Sequence, residues 1–306
     1  MKKLLFVYNP HSGKGKIGSA LSGIVSVFTQ NGFEVTVYPT SAPQDGENHI
    51  AENSGKYDLV VVGGGDGMLH ELLGGLRRAG TGTPCGYIPS GTINDFARSL
   101  GIPKNPLKAA ETAVSGNYKI IDSGSYNGNI FSYVAAFGVF TDVGYTTDQK
   151  MKNAIGPLAY YLDVLHGMDL KNFRSSSVRA VLSVNGQVYE DDFIFAIVGN
   201  THSVAGLTAL IPDNSSMQDG LLDYTFLKTP KSISDIELLQ SSLLTRKFDP
   251  SVIISGHAEK LTVTTERSVK WTLDGEFGGE TETSELCCLP KAVKIAVPAE
   301  KTKKTV

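Results

Sequence analysis

The sequence predicts a two-domain α/β protein. An α/β domain with a doubly wound parallel sheet is expected over residues 1–125, followed by an antiparallel β-sandwich domain over 126–306. Three observations predict it. Up to residue 125, short β-branched runs alternate with amphipathic segments, as strands and crossover helices do. After Asp122 the pattern changes: Asn127-Gly128 and Asn185-Gly186 each sit between strand-like runs, the strongest short hairpin signal. The unusual glycines and aspartates of the first part fall almost entirely in the loops that follow its strands.

The first-part strands are predicted at residues 4–8, 34–38, 59–62, 86–88 and 119–122. Segment 17–30 has the apolar spacing of an amphipathic helix and ends on Asn31-Gly32, a C-cap signal. The third strand, Val60-Val61-Val62, reads as buried in a parallel sheet and stops in Gly63-Gly64-Gly65-Asp66-Gly67. Glycines there let a backbone approach a phosphate chain, and the helix expected to begin near Met68 aims its positive end at the same spot. A carboxylate beside phosphates repels them unless a cation intervenes, so Asp66 points to bound Mg²⁺ or to a hydroxyl contact. Ligands of open α/β sheets bind outside the carboxyl ends of strands, so these loops are expected to converge on one crevice. In the second part, strands are predicted at 177–184, 187–198, 222–227, 261–265, 269–273 and 293–297, with helices around 156–170 and 233–245.

At 306 residues the chain can bury two cores more readily than one. Its 41% hydrophobic and 19% charged residues are ordinary for a soluble enzyme, and the net charge of −3 argues against broad nucleic-acid binding. No segment approaches ~18 uninterrupted apolar residues, and the apolar run after Met1-Lys2-Lys3 stops at Asn9-Pro10, too short for a secretory signal. Cys85, Cys287 and Cys288 form neither a metal-ligand spacing nor a disulfide framework, so reduced thiols in a cytoplasmic protein are expected.

Two more loops carry chemistry. Asn9-Pro10-His11-Ser12-Gly13-Lys14-Gly15-Lys16 follows the first strand and is rich in small residues, donors and cations. It is not a P-loop, since no glycine lies five positions before Gly13, and the Gly63 region lacks the third glycine of a dinucleotide fingerprint because His70 stands there. Pro89-Ser90-Gly91-Thr92-Ile93-Asn94-Asp95-Phe96-Ala97-Arg98 follows the fourth strand, with hydroxyls, free amides and either a capping or a functional role open to Asp95.

With these blocks in order, and with IDSG at Ile121, GN at Gly199, QDGLLDY at Gln218 and LDGE at Leu273, the chain resembles the diacylglycerol kinase catalytic-domain family, which includes bacterial soluble lipid kinases and sphingosine kinases. The resemblance covers almost the whole length, and His70-Glu71 after the glycines leans toward the sphingosine-kinase wording. It implies an ATP-binding α/β domain followed by a lipid-acceptor β-sandwich. It implies an ATP site made of Asn9, Pro10, His11, Ser12, Gly13 and Lys14, of Thr40, of Gly64, Gly65, Asp66, Gly67 and Met68, and of Thr92. Asp66, Asp95 and Asp122 match the acidic group that organises Mg²⁺ and water, and Asp274 and Glu276 the segment from which the base is drawn. A structural Mg²⁺ is implied at Asp219, with backbone oxygens near Ser216 and Leu221. Met68 departs from the usual threonine, and Ala205-Gly206 is a shortened version of the glycine run after GN. The implied partners are a diacylglycerol-like lipid and the inner membrane surface, met transiently. Self-association into a homodimer is kept open.

For the membrane contact, segment 151–168 has amphipathic spacing, with Leu158, Leu162, Leu165, Tyr160 and Tyr161, flanked by Lys150, Lys152, Lys171 and Arg174. A helix packed on its own domain is the other reading of that pattern. Two rival functions stand beside a lipid kinase: an NAD kinase, which shares a GGGDG loop, and a non-catalytic lipid- or nucleotide-binding regulator.

Overall fold

The computed structural model describes residues 1–91, 94–139, 170–202 and 208–299. Two units divide the chain: residues 1–121 with 291–306, and residues 122–290. In order, the elements are β1 (Lys2–Tyr8), α1 (Lys16–Gln30), β2 (Phe33–Pro39), α2 (Asp45–Asn53), β3 (Leu59–Gly64), α3 (Asp66–Ala79), β4 (Cys85–Pro89), α4 (Asp95–Ser99) and α5 (Pro106–Ala113). Next come β5 (Tyr118–Tyr126), β6 (Asn129–Phe131), β7 (Val134–Gly138), α6 (Leu170–Ser176), β8 (Val178–Val184), β9 (Gln187–Gly199) and β10 (Leu222–Lys228). The last are α7 (Ile233–Thr245), β11 (Ile253–Ala258), β12 (Lys260–Leu273) and β13 (Glu276–Ala296).

In the first unit β1 pairs in parallel with both β2 and β3, and β3 in parallel with β4. Val60, Val61 and Val62 are fully buried, as a central parallel strand requires. Phe6 meets Phe28 of α1 edge-on at 5.6 Å, so the sheet and this helix share one core. β3 runs two residues further than expected, through Gly63 and Gly64, and α3 begins at Asp66 rather than near Met68. α1 ends on Asn31, with Gly32 beyond it at φ 83°, as its sequence signals.

The end of the chain differs from expectation. Segment 293–297 was predicted as a strand of the second domain, yet Ile295 at the end of β13 pairs in parallel with Cys85 of β4. The chain therefore returns from Lys291 onward to the first unit, where Ile295, Ala296 and Val297 are buried. A short apolar run does not disclose which sheet accepts it.

Among the described residues of the second unit, β10 pairs antiparallel with β9 and β11, β8 with β9 and β12, β7 with β9 and β12, and β12 with β13. Asn127-Gly128 and Asn185-Gly186 are two-residue turns with both φ angles positive, closing Tyr126 on Asn129 and Val184 on Gln187. Trp271, Phe137, Phe193, Phe226 and Tyr126 fill the core between strands. Residues 261–265 and 269–273, expected as two strands, form the single β12, whose register against β13 shifts between Thr264 and Val269. α7 spans the expected 233–245 and opens on a capping box between Ser232 and Asp235. The amphipathic segment 151–168 lies outside the described residues, as do Thr92, Ala205 and Gly206.

Candidate active site

In the first unit the loops after β1, β2, β3 and β4 meet at the carboxyl edge of the sheet. The Asn9 N–H donates to Gly63 O at 3.0 Å, the Thr40 N–H to Tyr8 O at 2.9 Å and the Ser90 N–H to Gly64 O at 2.7 Å. The Ser90 hydroxyl donates to Ser12 Oγ at 2.8 Å, pinning the β1 loop on the β4 loop. Gly13, Lys14 and Gly15 are all left-handed, at φ 58°, 60° and 77°. At Gly13 a side chain would also run into the Ser90 carbonyl, so the position admits only glycine. Lys14 and Lys16 are exposed beside it, at the N-terminus of α1. Asn9 Oδ1 accepts the His11 N–H at 2.8 Å, which closes the Asn-Pro-His turn.

Two carboxylates border this edge. Asp66 is the first residue of α3, and Asp95, fully buried at 1% exposure, opens α4. Tyr87 links their two loops: its hydroxyl donates to Gly64 O at 3.2 Å and to Asn94 Oδ1 at 3.3 Å. Burial, and then the charge of Asp66, push the Tyr87 phenol well above its ordinary value, so it stays a neutral donor. The Arg98 guanidinium approaches Asp95 at 3.9 Å. A Cβ on Gly91 would lie 2.9 Å from Gly65 Cα, so two glycines keep the space between the β3 and β4 loops thin.

This set fits a magnesium–polyphosphate. Helix-start amides and two lysines suit phosphate oxygens, and the two carboxylates suit a hard cation. Among the described residues no three metal-ligating side chains cluster. A Mg²⁺ borne by a nucleotide needs no such cage, because phosphates and water complete its shell. Met68 stands in the first turn of α3. Its side chain, 5% exposed, is packed against Gly64 and Gly46, and its N–H bonds Gly65 O at 3.1 Å within the first turn of α3. Its side chain belongs to the core here.

The second unit holds the remaining positions. Asp122, 2% exposed, ties down the 217–220 loop: Oδ2 accepts the Gly220 N–H at 2.7 Å and its N–H donates to Met217 O at 2.8 Å. Its carbonyl accepts from the Asn200 side chain at 2.7 Å. Asp219 is exposed on that loop, with Oδ1 accepting the Leu221 N–H at 3.1 Å, and Ser216 Oγ accepts the Gln218 N–H at 3.2 Å. The structure thus brings Asp122 to the Asp219 loop.

Asp274 and Glu276 sit at one hairpin tip and behave differently. Asp274, 6% exposed and at φ 54°, accepts the N–H groups of Ser132 at 2.6 Å, Tyr133 at 3.0 Å and Val134 at 3.1 Å. Its own N–H donates to Val134 O at 2.8 Å. Glu276, opposite Leu273 across the two-residue turn, is exposed. Two features escaped sequence reasoning. Glu71 of α3 binds the start of α2, and a short helical pattern shows no sign of a partner on another helix. Buried Asp223 meets His257 Nδ1 at 2.7 Å across β10 and β11, a pairing visible only once register is known.

Comparison with known proteins places both parts of the chain in known families. Residues 3–126 match the profile described as diacylglycerol kinase catalytic domain, and residues 134–297 that described as YegS C-terminal NAD kinase beta sandwich-like domain. A Bacillus subtilis (strain 168) protein named diacylglycerol kinase is 33% identical, covering 98% of this chain and 98% of its own length. One from Staphylococcus aureus (strain MRSA252) is 31% identical over 91% of this chain and 87% of its own. A crystal structure of a diacylglycerol kinase from Bacillus anthracis str. Sterne superposes with a TM-score of 0.79 at 26% identity, covering 97% of each chain.

Proposed function

This chain belongs to the diacylglycerol kinase catalytic-domain family and is a phosphotransferase acting on an alcohol group; from that premise we propose that it transfers the γ-phosphoryl group of ATP, with Mg²⁺, to the hydroxyl of diacylglycerol or a closely related lipid. The observation that carries the reading is the glycine-walled edge where the Asn9, Gly63 and Pro89 loops are hydrogen-bonded together, with Asp66 and Asp95 at its border. The two helix pairs of the first unit, α1 with α5 and α2 with α3, support helices on both faces of the parallel sheet, the doubly wound arrangement.

In this reading residues 1–121 bind the nucleotide and the second unit receives the acceptor. The β1 loop and the start of α3 hold the phosphates through backbone amides, and Lys14 or Lys16 offsets their charge. Asp66 and Asp95 are the residues that would hold Mg²⁺, which when bound would neutralise charge on the transferring phosphoryl group; Asp122 is assigned the part of holding the 217–220 loop in its own unit. Glu276 is the proposed base. It takes the acceptor hydroxyl proton as the lipid oxygen bonds to the γ-phosphorus and the bond to the ADP oxygen breaks. Asp274 is assigned a supporting part: with three amides on its carboxylate it anchors the turn that presents Glu276. Phe277, the next residue at the same tip, is 67% exposed, an apolar surface suited to an acyl chain.

A structural Mg²⁺ at Asp219, turnover at the inner membrane surface and a homodimer belong to the same proposal. Among the described residues no helix is long and apolar enough to cross a membrane. NAD kinase remains the second reading because of the profile matched by residues 134–297. Labelled ATP offered with dioleoylglycerol vesicles, and separately with NAD, decides between them. Label in the lipid phase supports the proposal, and label only in NADP overturns it.

A further inference from the structure

Glu276 stands at a tip that the rest of the second unit holds from behind. Asp274 and Gly275, at φ 54° and 90°, make the two-residue turn that joins β12 to β13. The Asp274 carboxylate is gripped by three consecutive N–H groups, those of Ser132, Tyr133 and Val134, at 2.6, 3.0 and 3.1 Å. These three residues form a strap that leads into β7. Its other side is held by Asn200. Val134 faces Gly199, the last residue of β9, and the Asn200 N–H carries the ladder one step further by donating to Tyr133 O at 3.0 Å. The Asn200 side chain reaches β5, where Nδ2 donates to Asp122 O at 2.7 Å.

Asp122 is itself fixed, by its N–H on Met217 O at 2.8 Å and by the Gly220 N–H on its carboxylate at 2.7 Å. Hydrogen bonds therefore run from the 217–220 loop through Asp122, Asn200 and Tyr133 to Asp274. The fit is close: a Cβ on Gly199 would lie 2.5 Å from Tyr133 O, so β9 and the strap touch at this step. Stability alone does not account for the amide at position 200. Asn200 is fully buried, and its Oδ1 has no hydrogen-bond partner among the described residues. The same holds for the Oγ of Ser132, at the start of the strap. Buried polar oxygens without partners cost stability, and a fold keeps them where geometry matters more.

Resting on the reading of Glu276 as the base, we infer that Asn200 is a positioning residue for phosphoryl transfer: its amide holds the 132–134 strap, and with it the Asp274 turn, where Glu276 meets the acceptor hydroxyl. Fully buried, with its side chain on a backbone carbonyl, Asn200 acts through the turn and not on the substrate. The phosphate-binding loops of the first unit are not part of this chain of bonds, so loss of the amide falls on kcat and spares nucleotide binding. A misplacement of about 1 Å in a reacting group costs about a hundredfold in rate.

The test is a double-mutant cycle on the full chain: Asn200→Ala, Glu276→Gln and the two together. Ser232→Ala is the control, a variant weakened at a helix cap outside this chain of bonds. The kcat with labelled ATP and dioleoylglycerol vesicles, the Kd of ADP and the melting temperature are measured for each. Asn200→Ala should lower kcat about ten- to a hundredfold while the Kd of ADP stays within about twofold. In the Glu276→Gln background the same substitution should change kcat by less than about twofold, since no base is left to position. Ser232→Ala should keep the kcat of the unmodified protein. An unchanged kcat in Asn200→Ala, an equal loss in both backgrounds, or an equal loss in Ser232→Ala overturns the inference. If Asn200→Ala does not fold, Asn200→Ser, whose side chain is shorter by the reach of the amide, decides through the same cycle. Failure of the underlying reading shows separately, as a Glu276→Gln variant with the kcat of the parent.

Discussion

At the residue scale, the sharpest distinction lies within the Leu273-Asp274-Gly275-Glu276 tip. Spacing alone leaves both carboxylates eligible as the base. Their surroundings differ: Asp274 is buried under three backbone amides and Glu276 is exposed, which is why Glu276 is the one proposed. Glu276→Gln should lower kcat by about 10²–10⁴-fold with the Kd of ADP unchanged. A kcat within twofold of the parent's would remove Glu276 from the chemistry. Asp274→Asn should act first on stability, costing about 1–3 kcal/mol, because an amide places a donor against N–H groups; a melting temperature equal to the parent's would refute the anchoring role. The glycine and hydroxyl context of Asp66 and Asp95 singles out two residues that open α3 and α4, and their metal contact belongs to the proposal. Asp66→Asn and Asp95→Asn should keep the fold by circular dichroism and abolish transfer, and near-normal turnover in either would dismiss the proposed metal contact. Glu71 was not legible, because a cap supplied by another helix leaves no mark in its own segment. That the Met68 side chain faces the core was not legible for a related reason: position beside a glycine loop does not tell which way a side chain points.

At the element scale, turns and caps were the readable features. Asn127-Gly128 and Asn185-Gly186 hairpins require two successive positive φ angles, which few residue pairs tolerate. The capping box at Ser232 likewise announces α7, and Ser232→Ala should destabilise by about 1 kcal/mol in a denaturant titration. The pairing of β13 with β4 and the union of two runs in β12 were not readable, since both depend on partners distant in sequence. Register also creates the Asp223–His257 pair. Burial pushes the Asp223 carboxyl up to about 6 from 3.8, with His257 drawing it the other way. The folded state holds this proton more tightly than the unfolded chain, so its contribution to stability is full below pH ~3.8 and fades as pH rises towards about 6. Asp223→Asn should flatten that part of the melting-temperature profile, and an unaltered slope between about pH 4 and 6 would contradict the assignment. For the 216–221 loop, Asp219→Ala should erase any Mg²⁺-dependent rise in melting temperature, and a rise that persists would exclude a cation there.

At the scale of the whole molecule, the division into an α/β unit and an antiparallel unit was legible because strand–helix alternation gives way to hairpins near Asp122. The return of the chain from Lys291 to the first unit was not, because five apolar-rich residues carry no label for their sheet. The net charge of −3 gives no general attraction to an anionic bilayer, so lipid access must come from local features rather than from the global field. The most direct measurement of the central proposal is transfer of label from γ-labelled ATP, in Mg²⁺, by the full chain and its Asp95→Asn variant to dioleoylglycerol vesicles. The expected result is a labelled phosphatidic acid from the full chain and none from the variant. Equal labelling by both proteins, or no lipid product from the full chain while NAD is phosphorylated, would contradict it.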